Sequence, residues 1–188
     1  MNRDSARRLV ATRLEVPVGR FLARLGLSPN AVTLLGLLGA AASAILLSLG
    51  LFAAGGAVLL LAAAFDMFDG ALARATGRES KFGALLDSTA DRVSEVAVLL
   101  GLLIHFVGEA SEAGAILVYI ALAGSMLVSY VRARAGGLRV DCEVGLVARP
   151  ERVVALAIGL IIGQWWSPAA LVVLAAIGAL TIVTTLQR

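Results

Sequence analysis

The stretch FDMFDGALARATGRESKFGALLDSTADRVSE, from Phe65 to Glu95, sets four aspartates between runs that are otherwise apolar. Asp66 and Asp69 stand three apart and Asp87 and Asp91 four apart, so on helices each pair shares one face. The connection from Arg74 to Lys81 is short, which makes the two helices antiparallel neighbours and lets the pairs face each other. An aspartate at the centre of a membrane helix costs about 2.5–3.5 kcal/mol, so four of them demand a compensating partner. Converging carboxylates repel one another without cations, and hard oxygen donors are what Mg²⁺ or Mn²⁺ prefers. One or two divalent ions are therefore expected at this segment.

Outward from the aspartates, the composition is that of a bilayer protein. Of 188 residues, 60% are hydrophobic and only 15% charged, with a mean hydropathy of +0.93, outside the balance of a soluble domain. A membrane span needs roughly 20 mainly apolar residues. Six such stretches can be placed, at about 30–51, 53–76, 83–107, 113–135, 150–166 and 168–187. The fold expected is all-α: a six-helix transmembrane domain over 28–188, preceded by an amphipathic interfacial helix over 1–27. That helix is read from Leu9, Val10, Leu14, Val16, Phe21, Leu22 and Leu25, which alternate with arginines at helical spacing. Its basic character differs from the compact apolar region of a cleavable signal peptide. Ser28 followed by Pro29 reads as an N-cap and first-turn proline opening the first span.

The sixteen Lys and Arg residues concentrate in the N-terminal arm, in Arg74 to Lys81, in Arg132 to Arg152 and at Arg188, while the alternate connections carry none. By the positive-inside rule both termini and the acidic segment lie on the cytoplasmic side of the cell membrane. The single cysteine, Cys142, excludes an internal disulfide. Gly70, Ala73, Gly83 and Ala84 leave room for a neighbouring helix or a ligand's phosphates. Arg74, Arg78 and Lys81 ring the acids with positive charge, suited to the pyrophosphate of an anionic lipid and equally to anchoring at the membrane edge. Salt bridges to Arg74 and Arg92 are the structural alternative for the aspartates, but four carboxylates outnumber two arginines. Glu95, one turn from Asp91, either supports the acids or pairs with Arg92. His105 and the Trp165–Trp166 pair read as interfacial residues at the outer face.

At these residues the sequence resembles the CDP-alcohol phosphotransferase family, whose pattern is D-x2-D-G-x2-A-R-x8-G-x3-D-x3-D. Asp66, Asp69, Gly70, Ala73, Arg74, Gly83, Asp87 and Asp91 occupy its fixed positions. The resemblance implies two metal ions on Asp66, Asp69, Asp87 and Asp91, with Asp91 also the base that deprotonates the acceptor hydroxyl. It implies nucleotide contacts at Pro29, Asn30, Ala31, Val32, Gly70, Arg74 and Ser80, although Pro29 to Val32 also read as an ordinary helix start. It further implies transfer of a phosphatidyl group from CDP-diacylglycerol to an alcohol, with release of CMP, by a homodimer.

The acceptor is read from SYVRARA at Ser129 to Ala135, RPER at Arg149 to Arg152, and the final Gln187-Arg188. These resemble the phosphatidylinositol phosphate synthase subgroup, in which residues matching Ser129, Arg132, Arg152 and Arg188 hold the phosphate of inositol 1-phosphate. Arg132 stands where that subgroup has a lysine, which keeps the charge and changes the geometry. Several of these arginines also fit as membrane anchors. Glycerol 3-phosphate, free inositol and serine remain alternative acceptors, and a small ion-coupled transporter is the alternative of another class. A transporter would show inverted repeats or broken helices, and the chain shows neither. No nucleic acid partner is expected.

Overall fold

The computed structural model describes residues 16–140 and 148–188. Leu9, Val10 and Leu14 of the expected surface helix, and Cys142, lie outside them. Among the described residues the regular structure is helical throughout. In chain order the helices are α1 (Val16–Arg24), α2 (Pro29–Ser48), α3 (Phe52–Thr76), α4 (Lys81–Gly108), α5 (Glu112–Gly137), α6 (Arg149–Gly163) and α7 (Pro168–Gln187). The last six fall on the six apolar stretches, with ends that differ by only a few residues.

Local chemistry explains where the helices begin. Ser28 Oγ accepts from the Ala31 N–H at 3.2 Å and Pro29 occupies the first turn, so α2 starts as its serine-proline pair indicates. Ser80 Oγ accepts from the Gly83 N–H at 2.9 Å and starts α4 in the same way. Glu151 reaches back to the Ala148 N–H at 2.8 Å and defines the start of α6. At the far end of α2, Gly50 takes a left-handed φ of 76°, the conformation that ends a helix without a Cβ penalty.

Four of the helices, α2, α3, α5 and α7, are long and apolar enough to cross a bilayer. Of the other three, α1 has only 9 residues, and α4 and α6 fall short for different reasons. Helix α4 has ample length but carries Lys81, Asp87, Asp91, Arg92 and Glu95 in its first half, whereas α6 has only 15 residues. Among the described residues the protein is thus all-helical, with four candidate membrane spans by length and apolarity.

The chain divides into two compact units. One holds the described residues up to Gly39 together with Leu61–Ser94. Here Leu22 of α1 packs with Val32 of α2 and Leu72 of α3, flanked by Val18, Leu27 and Phe68. Phe21 of α1 and Leu25, just beyond its end, are exposed. The other unit comprises Ala40–Leu60 and Glu95–Arg188. Leu47, Leu102, Val118, Leu160 and Leu174 form the centre of its core, and α7 packs against both α5 and α6. Gln164 in this unit accepts from the Ala53 N–H at 3.0 Å, satisfying a first-turn donor of α3 from a remote part of the chain. His105 stacks edge-on against Phe52, with ring centroids 4.8 Å apart, while Trp165 and Trp166 are exposed.

Candidate active site

In the first unit, α2 meets the acidic face of α3 residue for residue. Thr33 Oγ1 donates to Asp69 Oδ2 at 2.6 Å, both residues being buried. One turn on, Gly36 lies opposite Asp66, and a Cβ added there would come within 2.6 Å of Asp66 Oδ1. The spacing of three on α3 is therefore matched by a spacing of three on the antiparallel α2: a hydroxyl for one carboxylate, and an absent side chain for the other. Asp69 Oδ1 also accepts from the Gly70 N–H.

Asp66 and Asp87 lie within electrostatic reach of Asp69. Asp69 and Asp87 share a cleft of about 200 Å³ whose other walls include Pro29, Asn30, Gly70, Arg74, Arg78, Ser80 and Gly83. Two helix starts, those of α2 and α4, thus open onto the same space as two guanidinium groups. Backbone N–H groups at a helix start carry partial positive charge, and Arg is the side chain best shaped for phosphate. The cleft combines carboxylates on one side with an anion-binding rim on the other.

Of the residues expected at the nucleotide, Pro29, Asn30, Gly70, Arg74 and Ser80 line this cleft. Ala31 and Val32 do not; Val32 is fully buried behind it, against Leu22 and Leu72. Asp91 is one turn along α4 from Asp87 and forms an ion pair with Arg92 at 3.4 Å, and Arg92 also donates to the Ser88 carbonyl at 2.7 Å. Among the described residues no three acidic, histidine or cysteine side chains close into a ready cage for a metal ion. The donor chemistry still fits a hard divalent cation, because the carboxylates gathered around Asp69 offer oxygen alone, and Asp69 is buried where only such an ion or a hydrogen-bond donor can satisfy it.

The second unit holds the residues expected at the acceptor. Arg152 is only 4% exposed, and its Nη2 lies 3.4 Å from Glu95 Oε1. Its Nε is buried and has no hydrogen-bond partner among the described residues. Glu95 therefore engages Arg152, a partner neither of the two sequence readings contained. Arg188 donates to the Val128 carbonyl at 3.1 Å, Ser129 is half-buried next to it in sequence, and Arg132 is exposed. Thr33 and Glu79 are the cleft residues that sequence reasoning missed. A polar residue one turn after Pro29, inside the apolar run VTLLGLLG, is the signal that marks Thr33.

Comparison with known proteins places the chain among relatives of known fold. The CDP-alcohol phosphatidyltransferase family matches residues 26–186. A phosphatidylinositol phosphate synthase of Mycobacterium tuberculosis is 36% identical over 187 residues, covering 96% of this chain and 86% of that protein. An archaetidylinositol phosphate synthase of Methanothermobacter thermautotrophicus is 35% identical over 164 residues, 85% of this chain and 82% of that protein. Among solved structures, the Mycobacterium tuberculosis phosphatidylinositol phosphate synthase with CDP-DAG bound superposes with a TM-score of 0.85 at 35% identity, over 94% of this chain and 92% of that one. The same enzyme in complex with manganese and citrate gives a TM-score of 0.84 over 93% and 87%.

Proposed function

This chain belongs to the CDP-alcohol phosphatidyltransferase family, and on that premise we propose that it transfers a phosphatidyl group from CDP-diacylglycerol to inositol 1-phosphate, releasing CMP. The observation that carries the reading is the cleft in which Asp69 and Asp87 face Arg74, Arg78 and the capped starts of two helices. A CDP-linked lipid presents a diphosphate that needs such an anion-binding rim, and its acyl chains need the apolar helices around it. The acceptor is argued from the relatives, one named phosphatidylinositol phosphate synthase and one archaetidylinositol phosphate synthase, and from Arg152, a buried cation whose Nε has no hydrogen-bond partner among the described residues.

In this reading Pro29, Asn30, Gly70, Arg74 and Ser80 bind the nucleotide end of the donor. Asp66, Asp69, Asp87 and Asp91 would hold two Mg²⁺ or Mn²⁺ ions, which when bound would neutralise the diphosphate and stabilise the departing phosphate of CMP. Arg74 and Arg78 orient the diphosphate through charge-assisted hydrogen bonds. Asp91 takes the proton of the acceptor hydroxyl as its oxygen attacks the phosphorus that carries diacylglycerol, and the bond from that phosphorus to the bridging oxygen breaks. CMP leaves with that oxygen. Ser129, Arg132, Arg152 and Arg188 hold the acceptor's own phosphate, which confines the alcohol to a phosphorylated class.

Six crossings, an interfacial α1, and residues 28–188 as the catalytic domain complete the proposal. Helix α4, about 40 Å long by its residue count, crosses with its charged half at the active site, and the shorter α6 crosses with exposed Trp165 and Trp166 at its outer edge. The distribution of Lys and Arg places both termini and the active site on the cytoplasmic side, and the family resemblance supports a homodimer.

The test is CMP release from CDP-diacylglycerol by purified protein in detergent with Mg²⁺, offered inositol 1-phosphate, glycerol 3-phosphate, free inositol or serine. Selective turnover with inositol 1-phosphate is the expected result. Selectivity for glycerol 3-phosphate would keep the reaction and overturn the acceptor, and turnover with free inositol or serine would overturn the phosphate-binding role of the arginines.

A further inference from the structure

The nearest neighbour of the Asp69 carboxylate on another helix is a hydroxyl. Thr33 Oγ1 lies 2.6 Å from Asp69 Oδ2 and 3.2 Å from the Pro29 carbonyl. A hydroxyl has a single proton to give, and a carboxylate at the shorter distance is the stronger acceptor, so the proton goes to Asp69. Thr33 is 3% exposed and Asp69 6%, so the bond lies where a lost partner is costlier than on the open surface. Threonine is branched at Cβ, which restricts its side-chain torsion and makes it a stiff donor. On the same face of α2, Gly36 leaves Asp66 its space.

We propose that Thr33 is a positioning residue of the metal centre: its hydroxyl fixes the rotamer of Asp69 and thereby sets the affinity for a divalent cation. The proposal rests on the reading of the four aspartates as metal ligands. A lone carboxylate on a helix has two soft torsions, and an ion that must find it in one orientation pays for the others. The Thr33 bond removes that freedom before the ion arrives. Outer-sphere partners of this kind change metal affinity by about 10–100-fold when removed.

Mn²⁺ titration of the full chain in detergent, with free Mn²⁺ read by electron paramagnetic resonance and with neither donor nor acceptor present, tests this directly. Thr33→Val keeps the shape and removes the donor, Thr33→Ser keeps the donor, and Asp69→Asn removes the ligand. The expected pattern is measurable binding by the parent, about 10–100-fold weaker binding by Thr33→Val, near-parental binding by Thr33→Ser, and a loss in Asp69→Asn at least as large as in Thr33→Val. Parental affinity in Thr33→Val alongside a loss in Asp69→Asn would overturn the role of Thr33 and leave the metal assignment standing. No binding by the parent, or no loss in Asp69→Asn, would overturn the metal assignment and the positioning role with it. Equal weakness of the serine and valine variants would show that the hydroxyl is not the cause. Should the valine variant fail to elute as folded protein, Thr33→Ala removes the same donor without burying a methyl against Asp69 and is read in the same way.

Discussion

Asp69 and Arg152 are both buried charges in a membrane protein, and the two units of the chain satisfy them in opposite ways. Asp69 is met by neutral donors, the Thr33 hydroxyl and the Gly70 N–H, with further carboxylates within electrostatic reach. Arg152 is met by a full opposite charge, Glu95, and its Nε has no partner among the described residues. Isolated ions are expensive to bury, whereas paired ones are tolerated. A carboxylate held by neutral groups amid other carboxylates is an arrangement that invites a cation from outside. A guanidinium already paired can take an anion only through the edge its partner leaves open. The proposed function uses that difference, assigning a cation to the first unit and the acceptor's phosphate to the second.

The largest effect expected from this contrast is at Asp91. Replacing the proposed base by asparagine keeps size and polarity and removes proton acceptance, so Asp91→Asn is expected to lower CMP release by about 10²–10⁴-fold while the thermal unfolding midpoint in detergent stays near that of the parent. The ion pair with Arg92 is partly exposed and contributes little to stability, which is why folding should survive. An Asp91→Asn variant with parental turnover would remove the base from the mechanism and leave the four carboxylates with only a binding role.

Next in size is the buried pair of the second unit. Glu95→Ala leaves Arg152 without its counter-charge and is expected to destabilise the protein by roughly 3–5 kcal/mol, read as a lower unfolding midpoint. Glu95→Leu combined with Arg152→Met replaces both charges by apolar groups and is expected to recover most of that loss, yet to leave the acceptor's phosphate unrecognised. A double variant that is stable and still selective for inositol 1-phosphate would break the comparison, since Arg152 would then be a structural cation only.

The helices and the acid pairs were legible in the sequence because both are local patterns. Runs of about 20 apolar residues define α2, α3, α5 and α7, and spacings of three and four place the aspartates on common faces. Serine before proline at Ser28 marked the start of α2 for the same reason. What could not be read is which face of one helix meets another. Thr33 and Gly36 look like ordinary members of an apolar run until α2 is seen opposite Asp69 and Asp66. Glu95 and Arg152 are separated by a long stretch of chain, so nothing in the local pattern joins them, and the sequence leaves Glu95 open between supporting the acids and pairing with Arg92. Val32 shows the converse: a position implied at the nucleotide by family resemblance is packed in the core behind the cleft.

Gly36→Ala sharpens the contrast at an intermediate scale. Its Cβ would stand 2.6 Å from Asp66 Oδ1, so either the carboxylate turns away or α2 moves off α3. Overpacking of this kind costs about 1–3 kcal/mol. The expected result is a lower unfolding midpoint together with weaker Mn²⁺ binding, whereas an alanine with parental metal affinity would show that the approach of α2 to Asp66 is packing alone.

The smallest effect separates capping from recognition. Ser28 and Ser80 both cap helix starts in the first unit, with bonds of 3.2 and 2.9 Å to the backbone, but only Ser80 lines the cleft. Replacing either by alanine removes a cap, a loss of about 1 kcal/mol that lowers the unfolding midpoint by a similar small amount in both variants. If Ser80 also touches the donor, Ser80→Ala alone raises the KM for CDP-diacylglycerol several-fold while kcat is unchanged, the signature of binding shared by ground state and transition state. Matching rises in KM for Ser28→Ala and Ser80→Ala would place the effect in the orientation of the two helix starts. In that case the backbone N–H groups, and not the serine side chain, are what the cleft offers to the diphosphate.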